Sequence, residues 1–281
     1  MNNIISRRAM LQGSAAGLAA LACGALTGSA LAEEKRHVYK IGTWSSNFEQ
    51  AQKLGLDALQ VSFSLRPRDN GDLRNPDVQK EYLERSQKTG VAITSFAMGE
   101  FNGNPLWQIN DAEEQVTSCI NAMAAMNVKQ VLISFFGKAD LNTDEKYAET
   151  IKRFKALAPK AEDKGVILAV EAPLNAEQHL RIIDGVNSPA VQIYYDPGNM
   201  IRLFGTTEGI CDDIRKLKGH IVECHCKDGG ILGKGRIDYA QVLAAYREIG
   251  FFGTQVIEGS IDRKLGYEES IRQDAAYMRS I

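Results

Sequence analysis

Gly165-Val166-Ile167-Leu168-Ala169-Val170-Glu171 is a glycine, five apolar residues in a row, and then a carboxylate. Unbroken apolar runs of this length mark strands buried on both faces, as parallel strands are. The glycine closes the amphipathic stretch 143–164, where a left-handed C-cap is wanted. A charge at the end of a buried run is costly unless it is paired or metal-bound.

The same sentence structure repeats along the chain. Strand-like runs are read at 38–43, 58–64, 91–97, 130–135, 166–171, 191–196, 221–227 and 254–258. Helical stretches lie between them, clearest at 76–89, 111–126, 143–164 and 239–249. Gly90, Gly165 and Gly250 each separate a helix from the next strand, and acids after Asn110 and Thr143 suit first helical turns. Eight strands alternating with eight helices in about 250 residues predict an α/β fold, the (β/α)8 TIM barrel. An open doubly wound sheet would carry GxGxxG after its first strand, and Ile41-Gly42-Thr43-Trp44-Ser45 has none. The excursion 98–108, ending near Trp107, reads as a loop over the barrel top.

Composition fits that fold. Of 281 residues 44% are hydrophobic and 24% charged, which excludes wholesale disorder and fibrous repeats. Lys and Arg number 33 against 35 Asp and Glu, so no basic excess points to nucleic acid. Residues 1–32 differ from the rest. Arg7 and Arg8 precede an Ala/Gly/Leu-rich stretch that ends in Ala30-Leu31-Ala32, as in a cleaved secretory signal. Ser6-Arg7-Arg8-Ala9-Met10-Leu11 is similar to the twin-arginine motif, with the twin-arginine export machinery as partner and a periplasmic address. An ordinary secretory signal and a lipid anchor at Cys23 are the alternatives. Subtracting the signal from 281 leaves 249 residues (33–281) as one domain, with a formal charge of -4 because the signal removes two arginines and no acid. Of the four cysteines beyond it, Cys224 and Cys226 flank His225, and read as small apolar packing residues, with a zinc site or a disulfide as competing readings.

Four consecutive strand ends carry ligand-type side chains: Glu171, Asp196, His225 and Glu258. Their spacings of 25, 29 and 33 residues are one βα unit each. In a barrel, sites lie at the C-terminal strand ends, so the four face one point. Singly, each reads as a solvated loop residue or a helix cap; together they favour a shared site. Three carboxylates and one imidazole make a hard, oxygen-rich donor set for one divalent metal ion: Mn2+ first, with Mg2+, Co2+ or Zn2+ as alternatives. Three carboxylates and such an ion sum to about -1.

Val170-Glu171, Tyr195-Asp196-Pro197-Gly198-Asn199, Cys224-His225-Cys226-Lys227-Asp228, Gly233-Lys234-Gly235-Arg236-Ile237-Asp238-Tyr239 and Val256-Ile257-Glu258 carry a resemblance. Over essentially all of 33–281 the chain resembles the xylose isomerase-like TIM-barrel superfamily, in its sugar (phosphate) isomerase/epimerase branch. The resemblance implies Glu171, Asp196, His225 and Glu258 as metal ligands, and Glu171 and Glu258 also as the catalytic acid/base pair. It implies a sugar as substrate, with Lys227, Arg236 and Asn199 beside it; many epimerases have His where this chain has Asn199. Trp44, Trp107, Phe135 and Tyr194 are candidates for apolar walls.

The residue types suggest proton transfer through a metal-stabilised enediolate. A lyase or dehydratase acting on keto-sugars or keto-glycosides would use the same site, and a non-catalytic sugar-binding barrel is a third reading. Gly233-Lys234-Gly235-Arg236 reads as a plain glycine-rich turn, with an anion cradle as the alternative. Oligomeric state stays open.

Overall fold

A computed structural model describes residues 39–259 and 261–281. The expected signal at 1–32, with its twin-arginine motif and the Cys23 alternative, lies outside the described residues. Short apolar runs become strands β1 (Ile41–Trp44), β2 (Ala58–Ser62), β3 (Ala92–Met98), β4 (Gln130–Ser134), β5 (Ile167–Glu171), β6 (Val191–Tyr195), β7 (Ile221–Cys226) and β8 (Gln255–Ile257). Each pairs with the next, and β1 pairs in parallel with β8, so the sheet closes into the expected barrel. Closure leaves no open sheet edge.

Between the strands lie α1 (Phe48–Lys53), α2 (Pro76–Thr89), α3 (Ala112–Met126), α4 (Asp144–Lys164), α5 (Ala176–Val186), α6 (Pro197–Phe204), α7 (Thr207–Lys216) and α8 (Tyr239–Ile249), with α9 (Gly266–Ser280) after β8. Gly90, Gly165 and Gly250 take φ of 72, 62 and 79°, the left-handed C-caps expected. One connection departs from the expected single helix. After β6, Pro197 opens α6 and Gly205 ends it at φ 75°; Thr206 then caps α7, so two helices cross back to β7.

Strand residues that point outward, such as Ile133, Val170, Ile193, Cys224 and Cys226, pack under the helices in one continuous core. Both of these cysteines are free thiols, and they approach Gln255 Oε1 at 3.0 and 3.4 Å, which supports the packing reading. Inside the barrel a separate cluster holds Ala97, Leu132, Ala169 and Tyr194. The two alanines leave room above them. Two positions further along the chain, at the strand ends or just past them, come Gly99, Ser134, Glu171 and Asp196.

Gly42 in β1 lies against Ala58 of β2, and a Cβ there would stand 2.8 Å from the Ala58 carbonyl oxygen. That oxygen belongs to the backbone and cannot swing away. Gly42→Ala is expected to cost about 1–3 kcal/mol, read as a lower denaturant midpoint at unchanged slope.

Candidate functional site

Glu171 is the last residue of β5, Asp196 follows β6, His225 lies within β7, and Glu258 follows β8. Their ligand atoms all lie within 4.8 Å of one another. His225 Nδ1 stands 3.0 Å from Glu171 Oε1, 3.5 Å from Glu258 Oε2 and 4.0 Å from Asp196 Oδ2. The structure thus brings the four sequence-derived ligands together. It also reconciles two readings of Asp196. Oδ1 accepts the Gly198 and Asn199 N–H groups at the start of α6, while Oδ2 turns to the cluster.

Lys227 joins them. Its Nζ lies 2.7 Å from Glu258 Oε2 and 2.7 Å from Asp196 Oδ2. The ammonium thus bridges the two carboxylates, and the Asp196 oxygen it meets is buried. Burial works to lower the His225 pKa, but Glu171, Glu258 and Asp196 outweigh it and raise the ring to about 9. Burial pushes the Glu171 carboxyl up even against His225. For Glu258 burial also works upward, but His225 and Lys227 together hold it below the usual value. Lys227 is driven up by Asp196 and Glu258 despite its own burial.

These residues fit a divalent cation. Donor separations of 3.0 to 4.0 Å about Nδ1 are those of ligands sharing one ion at about 2.1 Å. Asp196 Oδ2 is a buried acceptor with a lone pair to give. Three carboxylates and the Lys227 ammonium sum to -2, which a divalent ion balances. The sequence count of about -1 left out Lys227.

A cavity of about 210 Å³ opens onto this cluster. It is smaller than the roughly 300–1,000 Å³ of drug-sized sites and suits a small molecule. Glu171, Glu258, Lys227 and Asn199 line its polar side; Trp44, Phe136 and Leu132 line the apolar one. Asn199 Nδ2 donates to Glu171 Oε1 at 3.3 Å. The Trp44 indole lies nearly parallel to the His225 ring, with centroids 6.1 Å apart, and donates to Ser62 Oγ.

Other expected substrate residues are placed elsewhere. Trp107 donates to the Ala139 carbonyl, with Lys146 over its ring, because the loop turns it outward. Phe135 is fully buried against Phe154, and its neighbour Phe136 faces the cavity. Alternation from Leu132 through Ser134 leads to Phe136, so strand parity would have found it. Tyr194 packs at a tilt against His225, with ring centroids 4.6 Å apart, and does not line the cavity. Arg236 reaches the Gly205 carbonyl and is exposed.

The glycine-rich turn does cradle an anion, and it is the chain's own. Asp228 accepts the N–H groups of Arg236 and Ile237, each at 3.0 Å. A side chain at Gly235 would collide with that carboxyl group. Sequence reasoning missed Gln60, whose Oε1 lies 2.9 Å from His225 Nε2; the signal was one amide inside the apolar run of β2.

The chain belongs to the xylose isomerase-like TIM barrel family, whose model matches residues 48–281. A solved xylose isomerase domain protein from Planctomyces limnophilus is 18% identical, over 85% of this chain and 95% of that one, with a TM-score of 0.69. The 3-keto-D-glucoside 4-epimerase of E. coli is 16% identical, over 86% and 100%, at 0.71. D-psicose 3-epimerase from Clostridium cellulolyticum H10, solved with D-tagatose, is 15% identical, over 86% and 99%, at 0.70. At these identities the likeness is one of fold.

A cation held by this cluster would compete with a proton for His225 Nδ1. Apparent Mn2+ affinity is therefore expected to rise roughly tenfold per pH unit and to level off near pH 9. Calorimetry in buffers of different ionisation heat should count about one proton released per ion below that pH. In the metal-free chain the charged ring stabilises the fold fully below its ordinary pKa of 6.5, and that contribution is lost as pH rises through about 9.

Proposed function

We propose that the protein is an exported, divalent-metal-dependent sugar isomerase or epimerase. The observation that carries this reading is the meeting of Glu171, Asp196, His225 and Glu258 beneath a small cavity lined by both glutamates. The family and its epimerase-bearing fold support it.

Bound to a hydroxyl and an adjacent carbonyl oxygen of the sugar, a divalent ion would acidify the C–H between them and stabilise the enediolate. The chain's residues supply the rest. One of Glu171 and Glu258 takes the proton and the other returns it, and the roles exchange with the direction of reaction. Return to the opposite face of the same carbon is epimerisation; return to the neighbouring carbon is isomerisation. Asn199 holds Glu171 in place through Oε1. Lys227, already between Asp196 and Glu258, keeps Glu258 ionised and offers its ammonium to a substrate oxygen. Trp44 and Phe136 give the sugar an apolar face and limit water at the carbanion.

The test incubates Mn2+-loaded protein with a panel of ketoses and keto-sugars in D2O and reads the products by proton NMR once the ion has been removed. Deuterium at one carbon with the carbon skeleton retained is expected. Glu171→Gln and Glu258→Gln should each slow that exchange about 10²–10⁴-fold. Release of water or an aglycone in place of exchange would make the enzyme a lyase. Sugar binding with neither outcome would make it a binding barrel.

Export through the twin-arginine machinery rests on Arg7 and Arg8 and on the Ala30-Leu31-Ala32 cleavage pattern. Replacing both arginines by lysine is expected to leave uncleaved protein in the cytoplasm on fractionation. Cleaved protein in the periplasm of that variant would overturn the twin-arginine assignment.

A further inference from the structure

A further cavity, of about 540 Å³, opens at the same end of the barrel. Ser45 and Ser46 follow β1, Ser62 ends β2, and Ser64, Arg68 and Asn70 come after it, so its lining is drawn from the first two strand ends. Ser62 Oγ accepts the Trp44 indole N–H at 2.9 Å, and Ser45 Oγ accepts the Asn47 N–H at 3.0 Å. Each of these hydroxyls keeps its own hydrogen to donate. Among the described lining residues Arg68 alone is charged, and Glu100 pairs with it. The partly buried Tyr82 ring adds an apolar patch. A lining with balanced charge, many donors and acceptors and one aromatic ring suits an uncharged ligand that carries several hydroxyl groups.

This outer cavity adjoins the inner one of about 210 Å³ over the acidic cluster. Trp44 lines the inner cavity, and its indole nitrogen is held by Ser62 of the outer one. Gly99 and Asn102 also line the inner cavity, and Glu100, between them in the chain, binds Arg68 of the outer one. Trp44 with Ser62 and Glu100 with Arg68 therefore form a shared wall. Gly99 gives the indole its place there, because a Cβ at that position would stand 3.0 Å from Trp44 Cη2. The inner cavity has room for one small ring above Glu171 and Glu258, and the larger, hydroxyl-lined space lies beyond the indole.

We propose that the outer cavity binds a second sugar unit, so that the substrate is a glycoside of disaccharide size whose reacting ring lies over Glu171 and Glu258. The inference rests on the sugar isomerase or epimerase reading above and names its substrate class. The test is calorimetry and saturation-transfer NMR with lactulose, isomaltulose, maltose and cellobiose against D-fructose and D-glucose. At least one disaccharide should bind about tenfold more tightly than the single sugars, with magnetisation reaching both of its rings. Ser64→Trp, which fills the outer cavity, should bring the ratio of disaccharide to monosaccharide affinity down toward one. The double variant Ser46→Ala, Asn70→Ala, which leaves the cavity open, should lower that ratio several-fold. Disaccharides that bind no better than single sugars would overturn the second site. So would transfer confined to one ring, or a ratio unchanged in both variants. Two-ring binding without deuterium exchange of any keto-sugar by the Mn2+-loaded protein leaves the outer site standing and removes the isomerase reading. Exchange on single ketoses with no preference for disaccharides does the reverse.

Discussion

Three carboxylates held within 4.8 Å of one another inside a barrel set the terms for the rest of the molecule. At that range each like-charged pair repels by roughly 3–4 kcal/mol at an effective dielectric of about 20. Three pairs therefore amount to about 10 kcal/mol, comparable with the whole stability of a typical domain. Compensation is obligatory. Lys227 and the His225 ring provide it from the chain, and a divalent ion bound there would take over the part of the charge that the ring holds. The pKa directions follow from this balance: Lys227 and His225 rise because the carboxylates surround them.

The fold supplies the position and the space. Outward strand residues build the core with the helices, so the inward face is released from that task at the strand ends. Ala97 and Ala169 keep the layer beneath the cluster small. Asp196 shows how economical the arrangement is: one oxygen starts α6 and the other faces the cluster, so helix and ligand geometry are set by the same rotamer.

Much of this was legible from residues alone. Largely apolar runs that end in Glu171, Asp196 and Glu258 pointed to both the strands and the ligands, and Gly90, Gly165 and Gly250 marked the helix ends. What escaped were features decided by side-chain direction in loops. Trp107 turned away because its loop folds back onto Ala139, and Phe135 lost its place to Phe136 by a single step of alternation. Arg236 followed a turn whose purpose is internal. Gln60 lies far from His225 in sequence, and only closure of the barrel makes them neighbours.

The turn after β7 has a consequence for anion binding at the barrel top. In many barrels the loops after the seventh and eighth strands receive a phosphoryl group on free backbone amides. Here the amides of Arg236 and Ile237 are occupied by Asp228, and Gly235 is pressed against the same carboxyl group. A phosphoryl group would have to evict a fixed negative charge and then place its own there. At this turn the place that a phosphoryl group takes in such barrels is thus already filled by a carboxylate of the chain itself.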